Sequence, residues 1–250
     1  MNKYLGILAV LSAIGGGIFI ASSMSKEAEK PFFKHVDIND TINTSRKSVY
    51  LDVGHTPSKV GAISSTCKGE YLYNVEAVTH IHDVVANKKA INYEAGELSF
   101  DDRARHSKNN DLFISIHHDS MNEKYLTRND EGCLEGTFSK GFSLYVSSKN
   151  KHFEESLEYA QQIGEYMVSK GIPVNMTHAS PPPQGEDRKV LDERLGIYDY
   201  PNLRVVKNSE APALLIEMGV ITNPNELEGL TYRHQVVGEA ISSLGMIDVE

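Results

Sequence analysis

From residue 47 onward the chain alternates short apolar runs with longer stretches of helical period. Ser48–Val53, Leu112–Ile116 and Ala213–Glu217 are rich in β-branched or aromatic residues and too short for a typical helix, so each reads as a buried strand. Lys89–Tyr93, Phe142–Ser147 and Leu203–Lys207 read as further strands. Between them, apolar Leu72, Val75, Val78, Val84 and Val85 recur on an approximate helical period from about Glu70 to Asn87. A short helix follows Phe100 and ends around Asn109-Asn110. His152–Lys170 is amphipathic and is stopped by Gly171 and Pro173, and Gln235–Leu244 reads as a closing helix. Alternating strands and helices predict an α/β fold: a single domain with a mostly parallel twisted sheet flanked by helices. The polar stretch Met121–Lys140 is long for a loop in a compact domain, and Ser180–Glu186 reads as irregular and exposed.

The first residues break this pattern. Met1-Asn2-Lys3 precedes an uncharged stretch, Tyr4 to Met24, whose apolar part is Leu5–Ala21. A charged start followed by a long apolar run is the signature of an export signal. The run also approaches the roughly 20 residues that span a bilayer, so residues 1–24 read either as a cleaved signal peptide or as a retained membrane anchor. Either way the remainder is exported to the cell envelope, to a periplasm or to the outer face of the cytoplasmic membrane. Residues 25–46 are polar and read as a linker, which leaves 47–250 as one domain large enough for a full core. The net charge of -9, with no basic run, argues against a nucleic-acid partner. Two cysteines, Cys67 and Cys133, fall in expected loops; in an exported chain they form either one bridge or two free thiols.

Candidate chemistry sits where the strands end. The runs Val49–His55, Leu112–His117 and Ala213–Glu217 finish on His55, His117 and Glu217. In open α/β sheets ligands bind at the carboxyl ends of strands, so these side chains are expected at one edge. Gly54 lets the chain turn sharply into His55. Glu70 lies at the expected first turn of a helix, where the helix dipole favours a carboxylate even without a metal. His55, Glu70 and His117 make a His₂Glu set that suits one zinc with an open fourth position. Glu217, ending an apolar strand, is costly to bury alone. Beside a metal it could take a proton from water and pass it to a leaving amine, which is the chemistry of amide hydrolysis. His118 stands next to His117, but successive strand residues face opposite sides, so only one can join the site. Asp119 reads either as a group orienting a ligand or as a turn residue. His80 and His82 are expected on the first helix away from the site, and His178 and His234 as isolated exposed residues. Arg188, Lys189 and Arg194 could pair with carboxylates but read mainly as surface groups.

Five blocks carry a family resemblance. They are Leu51-Asp52-Val53-Gly54-His55-Thr56-Pro57, Lys68-Gly69-Glu70-Tyr71-Leu72-Tyr73-Asn74, Asn110–Asp119, Gly141–Val146 and Pro212–Glu226. In that order they resemble the I-D-x-G-H-G-G, G-x₂₋₃-E-x₃-N, A-D-L-F-I-S-I-H-A-N, G-F-E-V-Y-Y and P-A-V-L-V-E-x-G-F-x-S-N-x-x-E blocks of zinc-dependent N-acetylmuramoyl-L-alanine amidases of the amidase-3 type. The resemblance implies His55, Glu70 and His117 as zinc ligands and Glu217 as the catalytic carboxylate. It implies peptidoglycan as substrate, cut between the lactyl group of N-acetylmuramic acid and L-alanine. Thr56-Pro57 replaces two glycines of the pattern, His118 stands where the pattern has alanine, and Arg103 and Arg105 are offset from the family's arginine. Two other readings compete: a silent or regulated peptidoglycan-binding domain, and a zinc peptidase acting on free peptides. The sequence identifies no activator protein. The Met121–Lys140 loop, adjoining His117, is expected to shield the metal.

Overall fold

A computed structural model describes residues 48–179 and 188–244. The expected signal or anchor (1–24), the linker (25–46) and Ser180–Glu186 lie outside the described residues. The elements run β1 (Ser48–Val53), α1 (Glu70–Val85), β2 (Ala90–Glu94), α2 (Phe100–Arg105), β3 (Leu112–Asp119), β4 (Thr127–Arg128), β5 (Leu134–Glu135), β6 (Ser143–Val146), α3 (Phe153–Ser169), β7 (Lys189–Asp192), β8 (Ile197–Asp199), α4 (Arg204–Lys207), β9 (Ala213–Val220), α5 (Pro224–Leu227) and α6 (Leu230–Ser243).

Seven strands form one sheet in the order β2-β1-β3-β9-β6-β8-β7. β2, β1, β3 and β9 are mutually parallel, β6 runs antiparallel to β9 and parallel to β8, and β7 is antiparallel to β8. The α/β expectation holds, with an antiparallel step on one side. β4 and β5 form a separate small hairpin.

The two-residue period of the strands sorts the core into unequal halves. Leu51, Ile114, Ile116, Leu144, Leu214 and Ile216 pack with residues of α1, α3 and α6 into the larger cluster. Tyr50, Phe113, Tyr145, Tyr198 and Leu215 face the other way, into a smaller cluster covered by Val205 and Val206 of α4. By the same parity, Asp52, Ser115, His117 and Glu217 lie on the thinly covered face. His118 lies on the face covered by helices.

Three expectations change. Leu203–Lys207 is not a strand: it supplies α4, capped by Leu203, because its adjacent buried pair Val205-Val206 fits a helical turn against the sheet. β7 and β8 were not expected, because four and three residues carry too little periodicity to read. β3 runs on to Asp119 and β9 to Val220, so His117 and Glu217 lie within strands rather than at their ends. The β3–β9 register slips between His117 and Asp119, which marks where regular pairing stops.

The 121–140 loop is not a lid. A disulfide joins Cys133 to Cys67. Asn129 Nδ2 donates to Ser65 O at 2.8 Å, Gly136 N to Thr222 O at 3.0 Å, and Asn223 Nδ2 to Ser139 O at 2.8 Å. These contacts fasten the loop to the segment before α1 and to the end of β9. None of the residues lining the two cavities described below belongs to it.

Candidate active site

Parallel pairing builds the site. β1 and β3 align Asp52 with Ser115 and Val53 with Ile116, and β3 and β9 align His117 with Glu217. Past β1, Gly54 N donates to Ile116 O at 3.0 Å, and the chain leaves the sheet through His55 at φ 67°. A positive φ is rare for a residue with a side chain, and such strain collects at functional sites. No larger residue fits at Gly54, where an added Cβ would stand 2.6 Å from His117 Nε2 and from Ile116 O.

Glu70, first residue of α1, lies between the two histidines. Its Oε2 is 2.8 Å from His55 Nε2, and its Oε1 is 2.9 Å from His117 Nδ1. Ala62 N donates to Oε2 at 3.0 Å; His118 N and Asn74 Nδ2 donate to Oε1 at 3.2 and 3.3 Å. Burial alone would push this carboxyl up. Hydrogen bonds and charge from His117 and His55 reverse that and hold it well below the ordinary range. Burial also lowers His117, the direction that favours a neutral ring. One ligand atom from each of His55, Glu70 and His117 lies within 4.8 Å of the others, the one such group among the described residues. The set is one that zinc accepts. Gly61, at φ 76°, approaches it so closely that a Cβ there would sit 2.4 Å from Glu70 Oε2.

Glu217 is brought beside this group by its pairing with His117 and is not a member of it. Its Oε2 is buried and makes no hydrogen bond. Burial, then the charges of Asp119 and Glu70, push its carboxyl well above the usual range, with Arg188 opposing. A buried polar atom without a partner is uncommon and calls for an explanation at a reactive site.

Two cavities meet here. One of about 450 Å³ includes His55 and His117, with apolar walls from Phe100, Leu203, Val205 and Leu215. A smaller one of about 90 Å³ is lined by Glu217, Asp119, Tyr145, His178 and Arg188, and shares Leu203 and Leu215 with the first.

The remaining expectations divide. The His118 side chain points away from the site and His117 toward it, as the block resemblance implied. Asp119 is no mere turn residue: its Oδ2 accepts from Asn175 Nδ2 at 3.0 Å and lies 2.5 Å from His178 Nε2. His178 and His234 are not isolated. His178 also meets Arg188 Nη1 at 2.9 Å, and His234 is buried against His118. His82 is buried on α1, away from the site, and His80 pairs with Gln235. Arg188 lies over the rings of Tyr145 and Tyr200 inside the smaller cavity, while Lys189 is exposed and Arg194 pairs with Glu165 at the surface.

Sequence reasoning missed the strut beneath the site. Arg103 Nε and Nη2 reach Asp52 Oδ1 and Oδ2 at 2.7 and 2.6 Å, and Ser115 Oγ donates to Oδ2 at 2.6 Å. All three are buried, and Asp52 stands three residues before His55. The signal was present: an aspartate inside an apolar strand demands a partner. Arg105, the alternative, is exposed and pairs with Asp102.

Residues 49–243 match the family described as N-acetylmuramoyl-L-alanine amidase. A probable cell wall amidase, LytH, of Staphylococcus saprophyticus is 25% identical over 205 residues, which cover 78% of this chain and 56% of that protein; the chain thus spans little more than half the length of this relative. Among solved structures, an N-acetylmuramoyl-L-alanine amidase from Clostridium difficile 630 superposes with a TM-score of 0.59 at 22% identity, covering 79% of this chain and 93% of that one. The CwlD amidase from Clostridioides difficile, solved in complex with the GerS lipoprotein, gives 0.55 at 15% identity, covering 79% and 95%. At these identities the likeness to the two structures is one of fold.

Proposed function

This chain belongs to the N-acetylmuramoyl-L-alanine amidase family, and on that premise we propose that it hydrolyses peptidoglycan at the amide between N-acetylmuramic acid and L-alanine. His55, Glu70 and His117 hold one zinc in this reading, and Glu217 is the catalytic carboxylate. The donor set, the glycines packed against it and the unpartnered Glu217 oxygen fit that group. When bound, zinc polarises the scissile carbonyl and acidifies a water, and its charge offsets the carboxylates that push Glu217 up. Glu217 Oε2 takes the proton from the attacking water and returns it to the departing nitrogen of L-alanine. Glu70 lies between the two imidazoles, where it completes the set of three donors. The Asp52–Arg103–Ser115 strut holds β1 and β3 in register beneath them. The two joined cavities carry the substrate on either side of the scissile bond.

Residues 1–24 carry the chain to the envelope, where its substrate lies, either as a cleaved signal or as a retained anchor, and residues 25–46 link them to the catalytic domain. Among the described residues no helix is long and apolar enough to cross a membrane, so anchoring would fall to that segment. A protein partner that controls activity suits a wall-cutting enzyme; among its structural neighbours, the CwlD amidase forms a complex with the GerS lipoprotein.

The observation that carries this reading is the β3–β9 pairing, which sets Glu217, whose buried Oε2 has no hydrogen-bond partner, opposite His117. The test is zinc content and release of stem peptides from purified peptidoglycan, for the parent and for Glu217→Gln. The parent should hold about one zinc per chain and free peptides with an N-terminal L-alanine; the variant should keep the zinc and lose the release. A variant as active as the parent would remove Glu217 from the mechanism.

A further inference from the structure

Behind the His55–Glu70–His117 group, on the face covered by helices, lies a second polar cluster. His118 Nδ1 is 2.7 Å from Asn74 Oδ1. Asn74 Nδ2 is 3.0 Å from Gly54 O and 3.3 Å from Glu70 Oε1. His118 Nε2 is 3.3 Å from His234 Nε2. All four side chains are buried, with relative exposures of 4% for Glu70, 0% for Asn74, 1% for His118 and 5% for His234.

The direction of every bond in this chain follows from its end. A carbonyl and a carboxylate oxygen can only accept, so the Asn74 amide must turn its NH₂ toward Gly54 and Glu70 and its oxygen toward His118. His118 Nδ1 must then carry the proton, which leaves a lone pair on Nε2. That lone pair needs a donor, so His234 Nε2 must carry its proton as well. The donors run one way: α6 to β3 to α1, and from Asn74 to the carboxylate of Glu70.

We infer that His118 and His234 are positioning residues for the metal-facing carboxylate of Glu70, acting by supplying the donor that the buried oxygen of Asn74 needs while its NH₂ is given to Glu70 and Gly54. The inference rests on the proposed role of Glu70 as a ligand. Without His118 the Asn74 oxygen is a buried acceptor with no donor, a cost that strains the placement of its NH₂ against Glu70. Partners that orient a ligating residue commonly change metal affinity by 10- to 100-fold.

Two measurements on the full-length chain test this. The first is the ring tautomer of the histidines in the metal-free protein, from long-range ¹⁵N–¹H correlations. Proton on Nδ1 of His118 and on Nε2 of His234 is expected; the opposite tautomer at His118 overturns the inference. The second is the zinc dissociation constant from competition with a chelator. His118→Ala should weaken zinc by roughly 10- to 100-fold. His118→Gln, which can still donate to Asn74, should recover most of the loss, and His234→Phe should fall between parent and His118→Ala. A merely structural role would not produce this rescue. If the parent binds zinc and His118→Ala binds it equally well, the positioning role is wrong while the amidase reading stands. A parent that binds no zinc overturns both.

Discussion

Gly61 offers a test of the site worked from its geometry alone. Its φ is 76°, and a Cβ built there would lie 2.4 Å from Glu70 Oε2, 2.5 Å from His55 Cδ2 and 2.6 Å from His55 Nε2. Comfortable contact needs about 3.5 Å, so in Gly61→Ala one partner must retreat by roughly 1 Å. Neither moves freely. Glu70 is held by Ala62 N, His118 N and Asn74 as well as by the two imidazoles, and His55 is fixed by its own unusual backbone. Two effects should add. The left-handed backbone costs an alanine about 1–2 kcal/mol of stability. A displacement of about 1 Å at a reacting site costs on the order of 100-fold in turnover, with zinc affinity falling by roughly 10- to 100-fold. Gly171→Ala is the control: it has a φ of 78° with nothing within 4 Å, so it should share the backbone cost and leave the site untouched. Urea unfolding, chelator competition and peptidoglycan digestion separate the two effects. If Gly61→Ala loses stability as Gly171→Ala does but keeps parental zinc affinity and turnover, the ligand cluster does not lie where the geometry puts it.

Other consequences can be measured on the same footing. Arg103→Met should cost about 3–5 kcal/mol in urea unfolding, because it strands the buried Asp52 carboxylate. The Asp52→Leu/Arg103→Met pair should recover much of that, and a single-variant loss below about 1 kcal/mol would show that the strut carries little. In the metal-free protein Glu217→Gln should be as stable as the parent below the ordinary value of 4.5 and increasingly more stable above it. The sign follows because a carboxyl raised by folding contributes stability that is lost as pH rises toward its folded value; parallel pH–stability curves would refute it. Replacing Cys67 and Cys133 together by serine opens a loop with a sequence separation of 66. The expected loss is roughly 4 kcal/mol, seen as a lower urea midpoint, and an unchanged midpoint would show that the bridge adds no stability.

How much of this was legible in the sequence depended on whether a signal was local. The strands leading to His55 and carrying His117 and Glu217 were legible because β-branched runs announce themselves; the two-residue period said that only one of His117 and His118 could join the site, and the block resemblance picked His117. Glu70 was legible as the start of a helix. The partners of these residues were not. Arg103 meets Asp52 across 51 positions, Asn74 meets His118 across 44, and His118 meets His234 across 116. No periodicity links residues that far apart. His178 and His234 looked isolated because their neighbours arrive only when the chain folds. The 121–140 loop misled for a related reason: length beside a site suggested a cover, whereas its contacts run to the segment before α1 and to the end of β9.

The unequal faces of the sheet explain why chemistry and support separate. Three long helices bury one face in the larger core, so polar side chains there must be fully satisfied by each other, as Asn74, His118 and His234 are. The other face is roofed by α2 and α4, short elements that leave open cavities along β3 and β9. Odd-numbered residues of these two strands therefore face the side with the cavities, and even-numbered ones face the larger core. A one-residue slip in either register would exchange the two sets, placing a histidine of the support network in the cavity and burying Glu217 among leucines and valines. The Asp52–Arg103–Ser115 strut spans β1 and β3 at the level where that exchange would begin. Its value thus lies in fixing which side chains face the cleft as well as in the ion pair itself.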